Sequence, residues 1–139
     1  MKEMINENPA SLSRPKLRYL FRRVLKRIKE KPRGYFMFKK MRGTWGLYEF
    51  DDGITLDPRR TIIPTLIHEV LHDLYPNNWE GWTLRVESKI MNVLTPYDIY
   101  CLLTLFFQKL DIGSMPRVKR AKKSKRNIKS PKGGQSKRR

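Results

Sequence analysis

The sequence predicts an α+β fold, in which a small antiparallel sheet is joined by about four helices. Four segments carry apolar residues at helical spacing, and three short strand-like segments lie between the first helix and the second. A chain of 139 residues is long enough for one domain. We therefore expect a folded domain over residues 13–113, a flexible N-terminus at 1–12 and a disordered basic tail at 114–139.

The first predicted helix runs from about Ser13 to Lys31. Ser13 is suited to be its N-cap, and Pro32 with Gly34 ends it. Its apolar residues recur on one side, which predicts a core-facing stripe, while Arg and Lys fill the other side. The apolar positions are Leu17, Leu20, Phe21, Val24, Leu25 and Ile28.

Three strands are predicted next, at residues 35–39, 44–50 and 54–57. Turn residues separate them at 42–43 and again at 51–53. This order predicts a meander, in which each strand pairs antiparallel with the next one along the chain.

Three further helices follow, at about 61–74, 79–94 and 96–110. Pro76 ends the first of these, and Thr95-Pro96 opens the last. After Gly113 the composition is dominated by Lys, Arg, Ser, Gly and Pro, which bury too little apolar surface to fold alone.

Residues 68–72 read His-Glu-Val-Leu-His, an HEXXH motif on the second predicted helix. His68 and His72 are the only histidines, and a spacing of four places both rings on one helix face, where they can share an ion. Imidazole nitrogen suits zinc. Glu69 is offset by about 100° and can act on water as a general base without ligating the metal. The alternative is two histidines spaced by chance.

A catalytic zinc usually takes three protein ligands and a water. Glu80 and Glu87 share one face of the third helix, which the turn after Pro76 folds back against the motif helix. Glu80 is the preferred third ligand because it lies near the turn, as His72 does, and Glu87 is the alternative. The acid that does not ligate is expected to orient a histidine. Asp73 is interpreted as a capping or solvent-facing acid.

The segment from Ile54 to Asp57, the HEXXH helix, Trp79-Glu80 and Val86-Glu87 together resemble the short gluzincin-like metallopeptidase-like proteins of bacteria and their phages. The likeness covers about residues 44–94, roughly a third of the chain. It implies a minimal zincin-like core that binds zinc and hydrolyses peptide bonds. It also implies that strand 54–57, or its neighbour, is the edge that aligns an extended peptide.

The formal net charge is +18, and it is concentrated at the two ends. Residues 1–33 carry 11 Lys and Arg against 3 acids, residues 34–113 carry 8 against 10, and residues 114–139 carry 12 against none. This distribution predicts a nucleic-acid partner for the flanks. A solvated helix face with a solubilising tail is the alternative. The cations on one side of the first helix are Arg18, Arg22, Lys26 and Lys29.

The lone Cys101 excludes a disulfide within the chain, and no apolar run is long enough to span a bilayer. With no secretory signal, we expect a cytoplasmic protein without a transmembrane segment. The favoured hypothesis is a zinc-dependent metallopeptidase that cleaves a protein or peptide near nucleic acid. The alternatives are a non-enzymatic nucleic-acid-binding or assembly protein with structural zinc, and a regulatory module that acts on a repressor or toxin. The oligomeric state stays open.

Overall fold

The computed structural model describes residues 7–49, 52–59 and 61–114. The predicted basic tail, apart from Ser114, and the first six residues lie outside this part of the chain. Within the predicted flexible N-terminus, Pro9–Ser11 form a 3-10 turn and Leu12 is buried in the core. The Trp82 indole also donates a hydrogen bond to the Glu7 carbonyl. The packed structure therefore begins before Ser13.

The described residues form four helices and three strands, which confirms the predicted α+β class. In chain order they are α1 Arg14–Glu30, β1 Phe36–Phe38, β2 Gly46–Glu49, β3 Gly53–Leu56, α2 Ile62–Leu74, α3 Glu80–Met91 and α4 Pro96–Lys109. Ser13 caps α1 as predicted, since its hydroxyl accepts a hydrogen bond from the Lys16 amide. The largest boundary difference is at α3, which ends at Met91 rather than at residue 94.

The sheet is mixed, which corrects the predicted antiparallel meander. Its order is β1-β3-β2, with β3 parallel to β1 and antiparallel to β2. The link between β1 and β2, residues 39–45, is too long for a tight hairpin. Hydrogen bonds join it to the residues that follow β3. There Asp57 accepts a hydrogen bond from the Met41 amide at 3.1 Å, and Arg59 donates one to the Met41 carbonyl at 3.2 Å. β3 can therefore insert between the two earlier strands.

The two edges of the sheet differ. The outer edge of β1 is covered by the segment after α4, where the Asp111 amide donates to the Phe36 carbonyl and the Phe38 amide donates to the Ser114 hydroxyl. The strand expected to align a peptide, 54–57, is the central strand β3. Its neighbour β2 is therefore the edge that remains as a candidate for that role.

Helix α2 is the central element, because it contacts β2 and β3 as well as α1 and α3. Nine of its thirteen residues are buried, and the buried set includes ionisable side chains. A buried polar group is costly unless it is paired, so these side chains need partners from the neighbouring elements. Within the described part of the chain, none of the helices is both long and apolar enough to cross a membrane.

Asp73 is one of these buried groups, which corrects its interpretation as a capping or solvent-facing acid. Its side chain is only 3 % exposed, and it lies 2.9 Å from Arg27 Nη1 and 3.2 Å from Lys31 Nζ. Because both cations belong to the end of α1, the carboxylate joins α1 to α2.

We expect Asp73→Asn to lower the free energy of unfolding by about 3 kcal/mol, because it leaves two cations at a buried site without their anion. The matched control is Glu30→Gln. Glu30 also pairs with Arg27, at 3.7 Å, but it is half exposed, so its loss should cost less than about 1 kcal/mol. Urea denaturation measures both variants. Equal effects would contradict the assigned role of Asp73.

Asp98 joins α1 to α4 in a similar way. Arg18 donates to both of its carboxylate oxygens, and Asp98 also completes a capping box with Thr95 at the start of α4. The hydrogen bonds from Arg18 lower the pKa of Asp98 to about 2, against the opposing effect of burial. The ionised form is therefore favoured in the folded state.

This depressed pKa predicts an acid-sensitive contribution to stability. The contribution is fully present above about pH 4, where an unfolded carboxyl is also ionised, and it is lost as the pH falls toward 2. The difference in unfolding free energy between the wild type and Asp98→Asn should therefore shrink between pH 5 and pH 2 in urea titrations. Asp52→Asn, at an exposed turn, serves as the control. A constant difference for Asp98→Asn would contradict the prediction.

Candidate metal centre

The two histidines of the HEXXH motif lie on one face of α2. Their Nε2 atoms face each other at 3.1 Å, and the ring planes are inclined by 80°. Two imidazole nitrogens at this distance need a shared proton or a shared cation between them. The spacing of four residues therefore places His68 and His72 as the sequence predicts.

Glu80 is the first residue of α3, and it reaches the same point. Its Oε2 lies 3.0 Å from His68 Nε2, and its Oε1 lies 2.8 Å from His72 Nε2. The turn that follows α2 folds α3 back against it, as predicted. Among the described residues, His68, His72 and Glu80 form a group whose donor atoms all lie within 4.8 Å of one another.

This donor set fits a small divalent cation. A tetrahedral ion with bonds of about 2.0–2.2 Å holds its ligand atoms about 3.3–3.6 Å apart. The two Nε2 atoms lie 3.1 Å apart, and they lie 2.8 and 3.0 Å from different oxygens of Glu80, so a small outward movement of these side chains would accommodate the ion. Two imidazoles and a carboxylate suit zinc, but they also bind other divalent transition metals.

Glu87 lies on the other side of the His68 ring. Its Oε1 is 3.1 Å from His68 Nδ1 and accepts the proton of that nitrogen. The hydrogen bond leaves the lone pair of Nε2 directed toward Glu80 and His72. The geometry therefore gives the two candidate acids different roles. Glu80 lies beside the Nε2 atoms of both histidines, whereas Glu87 orients the ring of His68.

The surroundings of the two histidine rings shift their pKa values in opposite directions. Burial lowers the pKa of His68, but the hydrogen bond that His68 donates to Glu87 and the charges of Glu80 and Glu69 together raise it above its usual value. Burial and repulsion from His68 lower the pKa of His72, and Glu80 only partly opposes them. A neutral imidazole is the form that binds a metal.

Glu69 belongs to α2, and its buried side chain lies against β2. Burial raises the pKa of Glu69 to about 7, while the charge of His68 and a backbone hydrogen bond from Tyr48 oppose this rise. A carboxyl group that gains and loses a proton near neutral pH has the property that a general base requires. The sequence predicted the offset of Glu69 from the histidines and its role as a general base, but it did not predict the contact of Glu69 with β2.

Gly46 allows β2 to approach α2 closely beside Glu69. A Cβ atom at this position would lie 2.6 Å from the Thr65 methyl carbon and 3.0 Å from Glu69 Cγ. Gly46 was not among the residues predicted for the site. The available signal was a glycine at the start of a strand, which often marks a close approach of two backbones.

A cleft runs along the centre between β2 and the two helices α2 and α3. It consists of two adjoining cavities of about 240 and 330 Å³, and both are lined by His68, Glu69 and Glu80. Trp45 and Leu84 line the first cavity, and residues 46–48 line the second. A peptide in this cleft would therefore lie beside the three converging donors.

The outer edge of β2 borders this cleft. The Asp57 amide donates to the Trp45 carbonyl at 2.9 Å, so the odd-numbered residues of β2 face β3. The backbone groups of Gly46 and Tyr48 consequently point toward the other side. There the Thr44 hydroxyl donates to the Gly46 carbonyl, and the Tyr48 backbone bonds to Glu69. Strand β2 thus borders the cleft and also positions Glu69.

Comparison of the chain with protein-family models, with curated proteins and with solved structures gives no match. The likeness to zincins therefore rests on the spacing of the HEXXH motif and on the arrangement of the side chains around it. Fold similarity adds no support for a particular chemistry.

We expect the two glutamates to differ in their effect on metal affinity. Glu80→Gln removes a converging donor, whereas Glu87→Gln removes only the acceptor behind His68 and should weaken binding by about 10- to 100-fold. Zinc titration against a chelating dye should therefore show the larger loss for Glu80→Gln. The reverse order would contradict the assignment of Glu80 as the ligand.

Proposed function

We propose that this chain is a zinc-dependent metallopeptidase in which His68, His72 and Glu80 hold the metal. The observation that carries the proposal is the convergence of these three donors beside the buried Glu69. Helix α2 supplies His68, His72 and Glu69, so helix geometry fixes the relative positions of these three residues. This arrangement supports the zincin-like hypothesis drawn from the sequence.

The open side of the donor set favours catalysis over a structural role. Structural zinc sites are usually closed by four protein ligands, whereas catalytic sites keep one position for water or substrate. Within the described residues, the group contains three donors, and the side chain of Glu80 is 61 % exposed. The non-enzymatic alternative with structural zinc would need a fourth protein ligand in addition to this group.

We assign Glu69 the role of general base and proton shuttle in peptide hydrolysis. A zinc ion held by the three donors would supply a Lewis acid that acidifies water and polarises a carbonyl group. Glu69 would take a proton from the attacking water as its oxygen bonds to the carbonyl carbon. It would then give that proton to the leaving nitrogen as the C–N bond breaks, so that one water is consumed and a carboxylic acid and an amine are formed, between which the acid proton passes to give a carboxylate and an ammonium group.

We propose a protein or peptide substrate that lies in an extended form along β2. The edge of β2 that points away from β3 borders the cleft, so an extended peptide that enters the cleft lies alongside this edge. Leu84 and Trp45 are half exposed at the cleft, where they offer apolar contact to a side chain.

The free thiol of Cys101 and the basic flanks support a cytoplasmic setting near nucleic acid, which is part of the same proposal. The basic flanks would keep the peptidase close to proteins that are themselves bound to nucleic acid. The regulatory alternative, cleavage or control of a repressor, would use the same chemistry on a narrower substrate.

Glu69→Gln tests the chemistry. The variant should keep its bound zinc, because Glu69 is not among the converging donors, but its kcat on a mixed peptide library should fall by about 10²- to 10⁴-fold. Glu30→Gln, a half-exposed acid on α1 that lines neither cavity of the cleft, is the matched control and should leave kcat unchanged. Zinc content is measured in parallel by mass spectrometry of the metal.

Two results would overturn the proposal. A wild-type protein that binds no divalent metal would remove the centre itself. Equal turnover of the wild type and Glu69→Gln would leave the metal centre but remove Glu69 as the base.

A further inference from the structure

We propose that the outer face of α1 is a second functional site, which binds the phosphate backbone of nucleic acid. A groove of about 490 Å³ runs along this face. None of its lining residues lines either cavity of the metal cleft. The groove is lined by Tyr19, Arg22, Arg23, Lys26, Arg27, Glu30 and Leu74.

Two of the cations of α1 are engaged in contacts with other helices. Arg18 is engaged by Asp98, and Arg27 is engaged by Asp73, so both serve to join helices. This removes Arg18 from the set of four that the sequence suggests for phosphate contacts. Arg18 and Arg27 are thus distinct from the exposed cations on the outer face.

The other three cations of that set, Arg22, Lys26 and Lys29, are exposed. Within the described residues, the one acid at ion-pair distance from any of them is Glu30, which lies 3.9 Å from Lys26. That contact is a long, exposed pair and neutralises little charge. Their charges are therefore available to an external anion.

These three cations form a row along the helix. The first and last are seven residues apart, or about 10.5 Å, and consecutive members are four and three residues apart, so all three lie on one side. Like charges at these spacings destabilise a helix. A bound polyanion would relieve this repulsion. The contacts that join α1 to the other helices use Arg18 and Arg27 and do not depend on these three cations.

The burial pattern favours nucleic acid over a lipid surface. A helix that binds a membrane exposes an apolar stripe beside its cations. In α1 the apolar residues face the core, and five of them are buried. On the outer face only Tyr19 is a large exposed apolar side chain, and Lys16 lies over its ring at 5.0 Å.

The contacts available here are of the kind that positions a backbone rather than reads a sequence. Arg22 and two lysines offer charge to phosphates, and affinity from such contacts depends on the release of counterions. Residues 115–139 add further cations and no acid in sequence. We therefore infer binding that is insensitive to sequence and strongly dependent on salt.

The test uses the full chain and measures its affinity for unrelated 30-base-pair DNA duplexes and single strands at several salt concentrations. The double variant Arg22→Ala/Lys26→Ala should bind all of them more weakly. The slope of log affinity against log salt should fall by about 2, because each removed cation leaves one phosphate with its counterions. Thermal unfolding should show a midpoint no lower than that of the wild type, since two repelling charges are removed.

The matched control is Lys39→Ala/Lys40→Ala, which removes the same charge from the exposed link between β1 and β2. It should reduce the salt slope less than the α1 variant does. Equal reductions would show that net charge alone drives binding and would overturn the proposal, as would an unchanged slope for the α1 variant.

A third arm uses vesicles that contain phosphatidylserine. Loss of vesicle binding by the α1 variant with unchanged DNA binding would also overturn the proposal, because it would identify the face as a membrane surface. The assay reads no peptide cleavage and needs no metal. Its outcome is therefore independent of the proposed peptidase activity.

Discussion

The burial of α2 is the constraint on which the rest of the structure depends. This helix lies at the centre of the fold, yet it carries ionisable side chains at four positions in its last two turns. Each must be paired, because an isolated buried charge would cost more than the core gains from packing. The neighbouring elements supply the partners: α3 provides Glu80 and Glu87, β2 holds Glu69, and α1 neutralises Asp73.

This pairing also preorganises the candidate centre. The His68 ring is held on one side by Glu87, and Glu69 is held by β2, so the positions of both depend on packed secondary structure rather than on a loop. Gly46 completes the arrangement because it lets the strand approach without a side chain. Such support from rigid elements is what a catalytic or metal centre needs in order to keep its geometry.

The features that the sequence predicts correctly depend on local information. A spacing of four fixes the relative positions of His68 and His72 on a helix, and a short turn that begins near Pro76 brings α3 back against α2. The features that it does not predict depend on distant partners. The link between β1 and β2 is bonded to Asp57 at the end of β3, and Asp73 is paired with cations 46 and 42 residues earlier in the chain. Neither pairing leaves a local signal.

The two sides of α1 connect the two proposed activities physically. Its inner side anchors α2 through the buried pair of Arg27 and Asp73, one residue beyond His72. Its outer side carries the exposed cations of the proposed phosphate surface. The helix can hold this unfavourable row of like charges because its stability comes from tertiary packing rather than from its own side-chain pairs. The stability of the core around α2 therefore permits the charge that a nucleic-acid surface requires.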